Sequence, residues 1–219
     1  MFISMEGIDG AGKSTQVTLL KQELVNGGHR VVDSREPGGT EGAERIRSLL
    51  LEGESDRWSA ETEILLFTAA RNDHYERVIQ PALQQGAIVI CDRFADSTRV
   101  YQSRGKDDLK KRIDSLHSLF IGREPDLTVL IDIDPSLGWY RALARQNDET
   151  RFEKIGLDLQ VKLRAEFLNL ANKEPDRFEV VDGNRDTITI ARDVYDHVFR
   201  KLMDWRQKEA YPTQSHCLS

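Results

Sequence analysis

The stretch "FISMEGIDGAGKS", Phe2 to Ser14, sets the architecture. "FISM" (2–5) is a short apolar run that reads as a buried strand. "GIDGAGKS" (7–14) matches G-x-x-x-x-G-K-[ST], a glycine-rich loop whose backbone N–H groups can turn toward phosphate oxygens. From Ser14 onward, Val17, Leu20 and Leu24 recur at helical spacing until Gly27-Gly28 stops the helix. Strand, loop and helix in that order aim a helix N-terminus, with its free N–H groups, at the loop. Gly7, Ile8, Asp9, Gly10, Ala11, Gly12, Lys13 and Ser14 thus form a cradle for a nucleoside triphosphate. Lys13 is expected to reach the β- and γ-phosphates and Ser14 to hold Mg²⁺. Asp9 is the odd member, because an anion in an anion-binding loop repels the ligand unless it faces elsewhere.

Outward from this unit, short apolar runs alternate with helical patterns. "RVVDS" (30–34), "AIVICD" (87–92), "LTVLIDID" (127–134) and "FEVVDG" (178–183) read as further strands. Helices are expected over 41–51, from 59 to just beyond Pro81, and over 97–120, 135–146, 157–173 and 186–207. Pro81 should break or kink the last turn of the second of these. Strands apolar on both faces and alternating with helices imply a parallel sheet covered on both sides, an α/β three-layer domain with five strands. "KEAYPTQSHCLS" at the end reads as a frayed tail.

Composition narrows the function classes. The 219 residues suit one medium-sized domain, and 39% hydrophobic with 31% charged residues suits a soluble globular chain. A net charge of −6 gives no global attraction to nucleic acid or to an anionic membrane, so any anion site must come from local arginines. No run approaches the roughly 20 apolar residues of a membrane span, and no secretory leader is visible. Of the two cysteines, Cys91 ends an apolar run and Cys217 lies in the polar tail, which fits a reducing cytoplasm better than a disulfide framework. A guanine-reading N-K-x-D is missing; "NKEPD" (172–176) has the wrong spacing, which disfavours a GTPase switch.

Four other stretches carry chemistry: "REPGGT" (35–40), "LLFTAAR" (65–71), "CDRFADSTRVYQ" (91–102) and "YRALARQNDETRFE" (140–153). Three of them follow strands, and ligands of open α/β sheets bind beyond the carboxyl ends of strands. Together with the phosphate loop, in this order, they resemble the bacterial-type thymidylate kinases of the P-loop nucleoside monophosphate kinase group. The resemblance covers residues 2–207. It implies a single kinase domain over 1–207 with a lid near 141–155 and a tail at 208–219. It further implies transfer of the ATP γ-phosphate to dTMP, Mg²⁺ as cofactor, and a homodimer.

The resemblance also assigns residues. Phe67 and Arg71, four apart on one helix face, would take the base and phosphate of one nucleotide; taken alone, they read as a core residue and a solvated one. Gln102 would read the pyrimidine edge, and Tyr101, four after Ser97, would crowd the position of a ribose hydroxyl. Thr98 could help read the base or serve as a helix cap. Arg93 is placed on the acceptor phosphate, with Arg47 as a second ligand there, and Glu36 and Pro37 shape the pocket. Asp92 would sit near the metal or orient its neighbours. Asp9 would meet the deoxyribose hydroxyl and nearby arginines, Arg93 included. The phosphate loop has Ala11 and no arginine, so the catalytic arginine is expected from the lid: Arg151 first, then Arg145, with Arg141 last and nearer ATP. Phe94 and Phe167 stand where relatives often carry other residues; a hydroxyl contact from position 167 is thereby absent.

Overall fold

A computed structural model of the chain describes residues 1–53, 57–103, 105–144 and 156–210, the last five as backbone alone. Five strands, β1 (Phe2–Glu6), β2 (Val31–Arg35), β3 (Ile88–Asp92), β4 (Leu127–Asp132) and β5 (Phe178–Asp182), form one all-parallel sheet in the order β2-β3-β1-β4-β5. Helices α1 (Lys13–Asn26), α2 (Glu41–Leu51), α3 (Ala60–His74), α4 (Gln80–Gln84), α5 (Ala95–Tyr101), α6 (Asp107–Phe120), α7 (Pro135–Leu143), α8 (Leu157–Lys173) and α9 (Thr187–Ala210) flank it. Alternation along the strands explains the layers. Ile3, Met5, Ile88 and Ile90 enter one cluster with Val17, Leu20 and Leu24 of α1 and Val194, Val198 and Leu202 of α9. Phe2, Val89 and Cys91 enter a second with Ile79, Phe94 and Ile121. Cys91 is a buried free thiol. Among the described residues no helix is long and apolar enough to cross a membrane.

Two helical expectations need correction. The helix around Pro81 is neither broken nor ended there: a π-helical segment, Tyr75–Ile79, joins α3 to α4, and the Gln80 N–H bonds the Tyr75 carbonyl five residues back. Pro81 lacks an N–H, and its ring would collide with the carbonyl four residues earlier in a regular helix; the wider turn absorbs the conflict. The helix expected over 97–120 is two helices. A turn with Gly105 at φ 73° parts α5 from α6, and its left-handed backbone suits glycine.

The strand ends are held beneath the site by charge. Asp96, fully buried at the start of α5, accepts from Arg99 (2.8 Å) and from both terminal nitrogens of Arg177 (2.6 and 3.0 Å). Arg99 also bonds Glu124 and Asp114, so α5, α6 and the entries to β4 and β5 share one network. Removing Asp96 takes the one fully buried carboxylate from both guanidiniums, leaving Arg99 with Glu124 and Asp114 and Arg177 with Glu174, all three more exposed. Asp96→Ala should therefore lower the unfolding free energy by about 3–5 kcal/mol in urea titrations, while a loss under about 1 kcal/mol would mean that water replaces the carboxylate.

Candidate active site

The phosphate loop leaves β1 and enters α1 at Lys13, with Gly12 left-handed (φ 92°) just before the helix. Packing fixes its shape. At Gly10 (φ 77°) a Cβ would stand 2.0 Å from the Gly138 carbonyl of α7, so only glycine lets the loop lie there. Ile8 and Ala11 turn their side chains into the core, leaving their backbone as what a ligand could meet. Lys13 is nearly enclosed, and its Nζ donates to the carbonyls of Gly7 and Ile8, both at 2.9 Å. Burial, and next the charge of Arg93, lower its pKa to about 8; Asp92, Asp9 and Glu6 oppose that fall. The Ser14 hydroxyl donates to Asp92 Oδ2 at 2.5 Å. These are two hard oxygen donors side by side, the donor type that Mg²⁺ takes.

Across the loop lies a cavity of about 300 Å³ above the carboxyl ends of β1, β2 and β3. Its walls include Asp9, Gly10, Gly12, Lys13 and Ser14 on the loop side. Glu36, Pro37, Arg47, Phe67, Asp92, Arg93, Ser97, Tyr101 and Gln102 stand on the other side. Arg93 links the two. Its Nη2 donates to Asp9 Oδ1 (2.5 Å) and its Nη1 to Gly7 O (3.1 Å) and Ser97 Oγ (2.9 Å). The guanidinium carbon lies 5.1 Å from the centre of the Tyr101 ring, and the Tyr101 hydroxyl donates to Asp9 Oδ2 at 3.2 Å. Burial works against the guanidinium's charge, but Tyr101, Asp9, Asp92 and Glu6 outweigh it and hold its pKa above the ordinary value. Asp9 thus faces across the site, away from the loop amides.

Two buried carboxylates support this wall. Glu6 accepts from the Phe94 N–H (2.7 Å) and the Ser97 hydroxyl (2.6 Å). Burial, reinforced by the charge of Asp96, pushes its pKa up to about 7. At Glu36 burial also favours the neutral acid, yet the Arg71 charge and the bonds from His74 and Arg71 outweigh it and lower the pKa. Arg47 donates to the Pro37 carbonyl at 2.6 Å, tying α2 to the "EPGG" turn.

Some expected residues stand elsewhere. Arg71 is almost fully buried behind Glu36, donating to it (2.7 Å), to Phe94 O (3.1 Å) and to Thr98 Oγ1 (2.9 Å). Neither Arg71 nor Thr98 lines the cavity; Thr98 is a partner of Arg71. Arg141 is half-buried on α7 and is not part of the wall either. Arg145 and Arg151 lie outside the described residues. Arg35 and Leu51 line the cavity and were not anticipated. Arg35 could have been suspected from its place before "EPGG", and Glu6 as a lone acid closing an apolar strand; Leu51 gives no signal beyond one more apolar helix position.

Comparison with known proteins agrees with this geometry. The family model described as thymidylate kinase matches residues 5–194. The thymidylate kinase of Ruegeria pomeroyi is 58% identical over 202 residues, covering 92% of this chain and 96% of the relative. That of Dinoroseobacter shibae is 59% identical over 196 residues, covering 90% and 95%. The crystal structure of thymidylate kinase from Ehrlichia chaffeensis superposes with a TM-score of 0.70 at 37% identity, covering 90% of this chain and 97% of that one. A glycine-rich loop between strand and helix, an arginine bridging it to the opposite wall of one cavity, and identity of this extent over nearly the whole chain lead to one conclusion: the chain belongs to the thymidylate kinase family, a group of ATP-dependent nucleoside monophosphate kinases.

Proposed function

We propose that the two sides of this cavity divide the work of passing the ATP γ-phosphate to dTMP. The observation that carries the division is the Asp9–Arg93 pair, which turns the loop's one acid away from the triphosphate and toward the acceptor. The amides of residues 7–14 hold the donor, and Lys13 exchanges the Gly7 and Ile8 carbonyls for phosphate oxygens. Ser14 and Asp92 would hold Mg²⁺, which when bound offsets charge on the donor phosphates. Phe67 offers a face for the thymine ring, Gln102 its amide for the pyrimidine edge, and Tyr101 bulk beside the sugar. Arg93 and Arg47 take the acceptor phosphate.

The acceptor phosphate already carries a nucleophilic oxygen, so no covalent enzyme intermediate is needed. That oxygen forms a bond to the γ-phosphorus as the bond to the β–γ bridging oxygen breaks, and ADP leaves with the electron pair. Catalysis is then chiefly alignment and charge stabilisation. Arg151, followed by Arg145 and then Arg141, is assigned to the transferring group, delivered by closure of a lid over about 141–155 within a kinase domain of residues 1–207. A homodimer is assigned as well. Leu65 of α3 and Leu119 and Phe120 of α6 are more than half exposed, apolar side chains of the kind a second copy would cover. The buried free thiol of Cys91 suits a reducing cytoplasm.

A coupled assay across dTMP, dUMP, UMP, dCMP, GMP and AMP tests the substrate. Turnover is expected to be highest with dTMP; preference for another acceptor would refute the assignment, and ATP hydrolysis indifferent to every acceptor would indicate a nucleotide-gated binding protein instead. Two variants separate the roles. Asp9→Ala should impair turnover of dTMP while leaving ATP affinity within about threefold, since its partners Arg93 and Tyr101 are on the acceptor side. Arg151→Ala should lower kcat by about a thousandfold with little change in dTMP binding. Loss of ATP affinity in the first, or wild-type kcat in the second, would reverse those roles.

A further inference from the structure

A chain of polar side chains runs from Glu36 in the cavity wall to groups buried behind it. His74, the last residue of α3, is fully buried three residues after Arg71. Its Nδ1 stands 3.0 Å from Glu36 Oε1, and its Nε2 stands 2.7 Å from the Ser34 hydroxyl. The other Glu36 oxygen accepts from Arg71 Nε, whose guanidinium continues to Thr98. The path Ser34–His74–Glu36–Arg71–Thr98 thus crosses from β2 to α5 under the acceptor pocket.

Chemistry fixes the direction of the bond to Glu36. Glu36, with its pKa lowered, presents a carboxylate that only accepts, so His74 Nδ1 donates to it. The Ser34 hydroxyl can then serve Nε2 as donor or acceptor. The loop after Pro37 lies directly on the ring: a Cβ at Gly39 would fall 2.5 Å from His74 Cδ2. Glu36, His74 and Cys91 also place ligand-type atoms within 4.8 Å of one another. Both carboxylate oxygens and both ring nitrogens are already engaged, and burial pushes the Cys91 thiol well up, so the group is a hydrogen-bond relay and not a cation site. Without the Nδ1 donor one Glu36 oxygen would be buried unpaired, a costly arrangement that turning the carboxylate would relieve at the expense of its grip on Arg71.

We propose that His74 is a positioning residue for the acceptor nucleotide. Through Nδ1 it holds one oxygen of the Glu36 carboxylate, while Arg71 holds the other from behind, so that Glu36 keeps its place in the wall facing the acceptor; this rests on the acceptor assignment made above. Asparagine can place an amide N–H where Nδ1 stands, and glutamine one where Nε2 stands, so the two substitutions keep opposite ends of the relay. dTMP binding by calorimetry, KM for both substrates and thermal melting are measured for wild type, His74→Asn, His74→Gln and Ser34→Ala. His74→Gln should weaken dTMP binding about tenfold or more and His74→Asn by no more than about threefold, with KM for ATP unmoved in both. Ser34→Ala, which leaves the ring in place should the histidine variants fail to fold, should weaken dTMP binding about two- to fivefold. Equal losses in the Asn and Gln variants, a parallel loss of ATP affinity, or unchanged dTMP binding in Ser34→Ala would overturn the relay. A wild-type enzyme without dTMP dependence would instead remove the acceptor assignment on which it stands.

Discussion

Arg93 is the residue on which the two halves of the site depend. Its backbone is left-handed at φ 72°, a conformation that costs a non-glycine residue roughly 1–2 kcal/mol. Its N–H still bonds the Met5 carbonyl, prolonging the β1–β3 pairing by one residue, while the guanidinium reaches Gly7 and Asp9. The strained turn at the end of β3 is therefore what carries a cation across to the phosphate loop. A helical or extended residue there would direct the side chain elsewhere, leaving Asp9 and Lys13 without the charge that relates them.

The same logic explains why two enclosed carboxylates, Glu6 and Glu36, behave oppositely. Both pay the desolvation cost of a buried charge. Glu6 meets neutral donors, Phe94 N–H and Ser97, and feels repulsion from Asp96, so its pKa rises despite the attraction of Arg93. Glu36 is paired directly with Arg71, and its pKa falls. In a chain of net charge −6, Lys13, Arg93 and Arg47 nonetheless gather three cationic side chains around one cavity, with Glu6 buried beneath and Glu36 in its wall.

Much of this was legible in the residues because it rests on local pattern. The glycine spacing of 7–14, the apolar runs and the acids at strand ends are short-range signals, and they led to the parallel sheet, the loop and the position of Arg93. What was not legible depends on three-dimensional packing. The π segment before Pro81 is a compromise between a proline and a continued helical path that keeps Ile79 and Ala82 in the core, and propensity alone reads it as a break. Gly105 divides α5 from α6 with only one breaker in an otherwise helical pattern. Arg71 and Thr98 share a helix-face logic with their neighbours, but their distance from the cavity is set by Glu36, a residue on another element. His74 carried a usable hint, three residues beyond Arg71 on the same helix, though only the approach of β2 supplies its partners.

The Asp9–Arg93 pair is proposed to serve the acceptor side of the cavity, opposite the loop proposed to hold ATP. A crystal structure with dTMP, Mg²⁺ and a non-hydrolysable ATP analogue tests it directly. The analogue's triphosphate should lie on the amides of residues 7–14, the dTMP phosphate against Arg93, and the Asp9 carboxylate still turned to Arg93 and the sugar. An Asp9 carboxylate turned into the loop, or a dTMP phosphate away from Arg93, would contradict it.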